Sequence, residues 1–360
     1  MADCIVFTGG GTAGHVYPAL AVLDSLAERR PDRVVWIGSA SGMERAILGR
    51  RGIPYYGIPS GKLRRYLSLR NLSDLFLILA GILASLFILL KERPVLVFSK
   101  GGYVSVPPLL AARLLRIPAF THESDLNPGL ATRINSRLCE KVLVSFPETA
   151  GYFPAALRGK VVHTGNPVRP VLLAGDPRTG REMVGCPPDR KMLLVLGGSL
   201  GSAFLNQAVL EGLSRLTRTC FVVHQMGEEH YRPARVAGYR PLAFLGDELP
   251  HLLAACDLVL CRAGANTLWE LAALGKPAVL VPLPEHASRG DQIENARFFT
   301  ARGAAVAVSE QEAGQGKLIE AVLQLVENDS RLAEMGRCAR AMAEPRAAER
   351  IAQMVLERLA

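Results

Sequence analysis

Short apolar runs of four to six residues recur along the chain, separated by longer stretches in which apolar positions return every three or four residues. Residues 4–8, 34–37, 95–99, 119–122 and 141–145 read as strands. The stretches between them, such as 17–29 with Pro18 in its first turn, read as helices. Strands alternating with helices specify a parallel, doubly wound sheet. After a Pro/Gly-rich segment at 162–177 the same grammar restarts, with strands expected at 192–196, 220–225, 241–245, 258–261 and 278–281. The expected fold class is therefore α/β, with two doubly wound Rossmann-like domains at 1–165 and 166–343 facing across a deep cleft. Residues 344–360 add a final helix, for which either domain offers a surface, the N-terminal one included.

Each half begins with a strand that ends in a glycine-rich turn and enters a helix: Gly9-Gly10-Gly11-Thr12-Ala13-Gly14-His15 in the first, Gly197-Gly198-Ser199-Leu200-Gly201-Ser202 in the second. A third loop, Ser99-Lys100-Gly101-Gly102-Tyr103-Val104-Ser105, follows another strand of the first half. Amides of such turns, together with a helix N-terminus, attract phosphate. The same glycines serve equally well as tight turns alone. A dinucleotide cofactor would require an acidic residue closing the second strand, and that strand runs instead into Gly38-Ser39-Ala40.

Charge and cysteine usage narrow the setting. The net charge of +9 lies in the first half: residues 1–165 carry 20 Lys+Arg against 11 Asp+Glu, and residues 166–360 carry 22 of each. A one-sided basic field favours an anionic surface. The basic residues are not interleaved with stacking aromatics, which argues against nucleic acid, and an uncharged apolar segment, 75–90, lies among them. Its 16 residues would span about 24 Å as a helix, short of a hydrocarbon core of roughly 30 Å. With Lys62, Arg64, Arg65 and Arg70 before it and Lys91 and Arg93 after it, the segment suits a helix dipping into one leaflet through Leu75, Leu79, Leu83 and Phe87; a buried core helix is the alternative. Seven scattered cysteines without a C-x-x-C pair suggest neither a disulfide framework nor a zinc site, and the N-terminus has no export-signal pattern. A cytoplasmic setting is expected.

The motifs GGGTAGH (9–15), GGYVS (101–105), HESD (122–125), NPG (127–129), TGNPVR (164–169), GGSLGS (197–202), CRAGANTLWE (261–270) and RGDQIENA (289–296) run in order along nearly the whole chain. Jointly they resemble the undecaprenyl-diphospho-muramoylpentapeptide β-N-acetylglucosaminyltransferases, enzymes of the GT-B fold. The resemblance implies transfer of N-acetylglucosamine from UDP-N-acetylglucosamine to a polyprenyl-diphosphate-linked muramoyl-peptide, at the cytoplasmic face of the cell membrane and alongside other cell-wall synthesis proteins. It implies donor contacts from Thr12, Ala13, Gly14, Asp125, Asn127 and Arg169. Ser199 would meet the diphosphate, Phe244 and Leu245 the uracil, Ala265, Asn266 and Thr267 the diphosphate and sugar. Glu270 would hold the ribose hydroxyls, and Asp291 and Gln292 those of the sugar. Acceptor contacts would come from Gly11, Gly101, Gly102, Tyr103, Ser105 and His122. Four positions depart from the family's commoner pattern: Ser124 and Asp125, where HESD stands for HEQN, Val106 for glycine, and Asp291 for an amide.

Forming a β-linkage from an α-linked donor implies inversion by a single displacement, with a base taking the acceptor proton. His15 is the first candidate, since an imidazole titrates near pH 6.5 ordinarily, and Glu123 the second. Anchoring the helix start or holding a phosphate are the other roles open to His15. No D-x-D pair occurs, so no metal cofactor is expected, and loop amides, helix N-termini and Arg169 would meet the leaving charge. The rival readings are a nicotinamide oxidoreductase, a non-catalytic membrane-surface scaffold, and a transferase on another lipid or a sugar-nucleotide epimerase sharing the architecture.

Overall fold

Side chains that alternate between two apolar faces make the strands of the computed structural model, which describes residues 3–26, 31–61, 70–198 and 200–359, side chains of 70–73 excepted. Seven strands form the first sheet: β1 (Cys4–Thr8), β2 (Arg33–Ser39), β3 (Tyr55–Ile58), β4 (Leu96–Ser99), β5 (Ala119–Glu123), β6 (Lys141–Val144) and β7 (Val161–His163). Their spatial order is β3-β2-β1-β4-β5-β6-β7, every pair parallel. Along β1, Ile5 and Phe7 face a core shared with Trp36, Phe98, Phe120 and Leu143, while Cys4 and Val6 face a second one with Val35, Ile37, Val97 and Leu109. This period of two, buried on both sides, is why a parallel strand reads as a continuous apolar run.

The second sheet orders β8 (Met192–Leu196), β9 (Phe221–Gln225), β10 (Tyr239–Leu242), β11 (Leu258–Cys261), β12 (Ala278–Leu280) and β13 (Ala305–Ala307) as β10-β9-β8-β11-β12-β13, again all parallel. In both sheets the strand order reverses beside the first strand, between β1 and β4 and between β8 and β11. That is the position at which wound sheets bind ligands at their carboxyl ends.

Compact packing divides the chain into Met1–Pro167 with Pro345–Ala360, and Val168–Glu344. The final helix, Ala347–Leu356, joins the first of these units because Ile351, Ala352 and Val355 complete the core around Leu20, Leu23 and Trp36. Arg358 pairs with Glu140 at its end.

The short edge strands β3, β7 and β13 are missing from the sequence reading, and β10 begins two residues before its expected start. The three missed strands are partly exposed at the sheet edges and so leave no continuous apolar run, and Pro241 in β10 is tolerated because that strand lies at the edge of its sheet.

The apolar segment lies in a helix, Arg70–Glu92, that is long and apolar enough by composition to cross a membrane. It is two-sided. Gly81, Ser85 and Leu89 face the protein, with Gly81 against Pro59 and Pro107 and Ser85 Oγ donating to Gly81 O at 2.7 Å. Leu75, Phe76, Leu79, Leu83, Phe87 and Leu90 are exposed, Phe87 by 74%. Arg64 and Arg65 lie outside the described residues.

Truncating Ile351, fully buried in the first core, should cost about 2–5 kcal/mol of stability through lost apolar burial and an unfilled cavity. A denaturation midpoint equal to wild type in Ile351→Ala would show that the terminal helix does not contribute to this core.

Candidate active site

In the first unit, three strand ends bring the loops together. Trp36, at 0% exposure, donates Nε1–H to Gly9 O at 3.0 Å and fixes the start of the loop after β1. Beneath the same loop the buried Glu44 carboxylate accepts from Ser39 N and Ser39 Oγ, both at 2.9 Å, and from Gly11 N at 3.4 Å. The loop after β4 presses directly on this one. Gly102 has φ +79°, and a Cβ there would stand 2.7 Å from Gly10 O and 3.3 Å from His15 Nδ1, so only glycine fits. Tyr103 lies against Gly11 on the same side.

His15 ends the short turn Ala13–His15 and is half-buried, with Nδ1 3.0 Å from Thr12 Oγ1. Thr12 therefore orients the ring, and Gly101 and Gly102 pack on its face. Behind this pair, Ser105 Oγ donates to Gly102 O at 2.8 Å and receives Asn135 Nδ2 at 2.9 Å.

Glu123, closing β5, spends its carboxylate on the following loop: Oε1 accepts from Asp125 N at 3.1 Å and Oε2 from Gly129 N at 3.0 Å. That work shapes the segment carrying Asp125 and Asn127, whose Oδ1 receives Arg133 Nη2 at 2.9 Å. His122 is fully buried, its Nε2–H donating to Gly165 O at 3.0 Å, while Nδ1 has no protein partner. Burial first, and the Lys100 charge second, hold its pKa well below the usual imidazole value, against the pull of the Gly165 carbonyl. The ring is thus neutral and lies beneath the loops rather than on their surface.

The second unit presents the loop after β8. Gly201, at φ +80°, packs so closely on Met226 O that a side chain would collide with it. Gln225 Nε2 donates to Gly198 O at 3.0 Å, and Ser202 caps the helix Ala203–Glu211. Arg262 ties this loop to its neighbours, donating Nε to Ser202 Oγ at 3.2 Å and Nη1 to Val281 O at 3.1 Å, with its Nη2 paired to Glu310 at 2.7 Å. Ser199 lies outside the described residues.

The helix Ala265–Leu274 follows the end of β11 with Gly264 as its extended N-cap and no side-chain cap, so the amides of its first turn, at Ala265, Asn266 and Thr267, are of the kind that can receive an anion. One turn on, Glu270 meets Arg169 at 3.2 Å. Burial raises the Glu270 pKa, and Arg169 opposes that shift. Gln292 Oε1 accepts from Leu283 N at 3.1 Å, and Asp291 Oδ1 from Arg289 N at 3.2 Å, at the start of the helix Asp291–Ala301. Phe244 is half-exposed beside the buried Leu245.

Among the described residues, no three His, Cys, Asp or Glu side chains gather where a metal could be held. Sequence reasoning gave no role to Glu44, Lys100, Asn166 or Arg262. Lys100 inside a glycine loop, Asn166 within TGNPVR and Arg262 within CRAGANTLWE were visible signals, whereas Glu44 sits in an unremarkable stretch after β2.

The family model of the glycosyltransferase family 28 N-terminal domain matches residues 5–144, and that of the family 28 C-terminal domain residues 192–351. A protein of Treponema denticola named UDP-N-acetylglucosamine--N-acetylmuramyl-(pentapeptide) pyrophosphoryl-undecaprenol N-acetylglucosamine transferase is 47% identical over 84% of this chain and 83% of its own length. Its namesake from Treponema pallidum is 45% identical over 98% and 95%. The crystal structure of Acinetobacter baumannii MurG superposes with a TM-score of 0.77 at 30% identity, covering 99% of both chains. A Neisseria meningitidis UDP-GlcNAc 2-epimerase reaches a TM-score of 0.69 at 16% identity over 99% of this chain and 100% of its own, which shows the shared fold alone.

Replacing Glu44 by alanine should orphan the Ser39 and Gly11 amides and cost about 1–3 kcal/mol. Faster hydrogen exchange at those two amides is the expected signature; unchanged exchange with an unchanged melting point would remove Glu44 from the support of the first loop.

Proposed function

The chain belongs to glycosyltransferase family 28, and we infer from that membership that it transfers N-acetylglucosamine from UDP-N-acetylglucosamine to the muramoyl C4 hydroxyl of undecaprenyl-diphospho-muramoyl-pentapeptide, a step of peptidoglycan synthesis. Identity of 45% sustained over 98% of the chain, both units included, carries this reading. Its two wound α/β units make it a GT-B enzyme.

The acceptor is assigned to the first unit, at Gly11, Gly101, Gly102, Tyr103 and Ser105, and the donor mainly to the second. The acceptor oxygen attacks the anomeric carbon, forming the C–O bond as the bond to the β-phosphate oxygen of UDP breaks, with inversion. His15 takes the hydroxyl proton. In the tautomer that gives Nδ1–H to Thr12 Oγ1, the lone pair is on Nε2, which suits this role. Glu123 is the weaker candidate, since both its oxygens already serve backbone amides. The leaving diphosphate is met by the N-terminus of the helix Ala265–Leu274, by Arg169 and by the loop of Ser199, without a metal cofactor. Glu270 accepts from the ribose hydroxyls, and Asp291 and Gln292 from those of the sugar.

The protein works at the cytoplasmic membrane surface, bound peripherally through the exposed side of the helix Arg70–Glu92. Several hundred Å² of contiguous apolar surface normally marks a contact site, and here the basic flanks favour an anionic leaflet.

Radiolabel from UDP-N-acetylglucosamine should enter the lipid phase when the lipid-linked acceptor is supplied, and should still do so in a chelator. Label that stays in the nucleotide pool, as an epimerase would leave it, contradicts the assignment. In the same assay His15→Ala should lower turnover by roughly 10²–10⁴ with donor affinity little changed, and Glu270→Ala should weaken the donor by about 1–2 kcal/mol. Near-normal turnover of a folded His15→Ala enzyme would move the base elsewhere.

Exchanging Leu79, Leu83 and Phe87 for polar residues should reduce binding to anionic vesicles while sparing transfer to a detergent-dispersed acceptor. All three are at least half exposed, so the fold should tolerate the change. Undiminished vesicle binding would place the membrane contact elsewhere.

A further inference from the structure

Lys100 is buried to 2% exposure, and neither the motif resemblance nor the mechanism above employs it. It sits between the end of β4 and the glycine pair Gly101-Gly102. Its Nζ donates to Ser124 Oγ at 2.6 Å, and Ser124 Oγ donates to Asn166 Oδ1 at 2.7 Å. Ser145 Oγ stands 3.2 Å from the same amide oxygen and 3.0 Å from Glu123 O. One ammonium thus heads a polar chain joining the ends of β4, β5, β6 and β7, from which the acceptor-side loops spring.

Burying an ammonium costs several kcal/mol, and replacing a buried charge together with its partners by well-packed apolar residues is commonly neutral or stabilising. A purely structural brace would be better made without a charge. The titratable groups facing this one are Glu123 and Asp125, which favour the ammonium, and His122, which is neutral; His15 lies across Gly101 and Gly102. The site therefore concentrates two carboxylates where, on the reading above, a diphosphate must approach.

We propose that Lys100 is a positioning residue for the acceptor: its ammonium offsets Glu123 and Asp125 and sets the loops of Gly101–Ser105 and Glu123–Gly129, so that this face of the first unit accepts a lipid-linked diphosphate. Burial lowers its pKa to about 8, against the pull of the two carboxylates. It is charged below that pH and neutral above it, so acceptor binding weakens as pH rises through about 8.

The proposal rests on the family 28 reading, and wild-type transfer tests that reading separately. Acceptor and donor KM are measured for wild type and Lys100→Met between pH 7 and 9.5, beside thermal melts. Lys100→Met is expected to fold but to melt below wild type, because removing one partner leaves Glu123, Asp125 and Ser124 uncompensated, so the KM values and not the melt carry the test. Its acceptor KM at neutral pH should rise about ten- to a hundredfold, the loss expected for a charge-assisted interaction, with donor KM within about twofold. The alkaline rise in acceptor KM should be present in wild type and absent from the variant. Equal changes in both KM values, or an alkaline limb that persists in Lys100→Met, would overturn the proposal. If Lys100→Met does not fold, the wild-type profile decides together with Ser124→Ala, which removes the hydroxyl partner. An acceptor KM flat to pH 9.5 in wild type overturns it, and an alkaline limb displaced by Ser124→Ala at constant donor KM supports it.

Discussion

Contact between two backbones governs the first unit. The loop after β4 can lie on the loop after β1 only because Gly102 has no side chain to strike Gly10 O. From that contact follows the place of His15, whose ring is held between the Gly101-Gly102 turn and the Thr12 hydroxyl. The arrangement also explains the depth of support beneath it. Trp36 and Glu44 hold the first loop, while Ser105 and Asn135 hold the second, because two loops that bond mainly to each other would drift together. The second unit solves the same problem with the same device: Gly201 against Met226, with Arg262 as the strut.

Buried polar groups cluster at the carboxyl ends of the strands, where ladders stop and backbone groups need other partners. Glu123 shows the economy of this. A carboxylate that satisfies Asp125 N and Gly129 N makes a turn, and the same engagement weakens its claim as a proton acceptor. His122, neutral and bonded to Gly165 O, ties β5 to the chain beyond β7 in a comparable way. His122, Glu123 and Ser124 of HESD therefore all take part in building the loop, a role that residue type alone does not reveal.

The long-range order of the fold was readable because parallel strands buried on both faces leave continuous apolar runs, as in Ile5–Phe7 or Met192–Leu196. Edge strands of three or four residues leave none, and β3, β7 and β13 went unseen. Glycine loops and the motif residues were visible as candidates. Their pairings were not, because Glu44 lies 33 residues from the Gly11 amide it reaches, and Asn166 lies 42 from Ser124. Such pairs come together only through the sheet order. Whether 75–90 was core or surface was also beyond the pattern, since a helix apolar on all sides shows no preferred face; packing divides it into a Gly81-Ser85-Leu89 side and an exposed leucine and phenylalanine side.

That division has a bearing on how a lipid-borne substrate could be handled. The inner side of the helix Arg70–Glu92 packs on the helix Val106–Leu114, with Gly81 against Pro107 at the latter's first turn. This second helix begins where the Gly101–Ser105 loop ends. The exposed apolar surface and the loop proposed to meet the diphosphate are therefore joined by one helix-to-helix contact within a single unit. An acceptor anchored by its polyprenyl chain carries its diphosphate at headgroup depth, so a protein resting on the leaflet by this helix would need no extraction of the lipid to meet that group. The glycine at position 81 then matters twice: it lets the apolar helix lie close to Pro59 and Pro107, and, on the proposed membrane contact, it would fix the height of the loop above the leaflet by backbone packing rather than by long side chains.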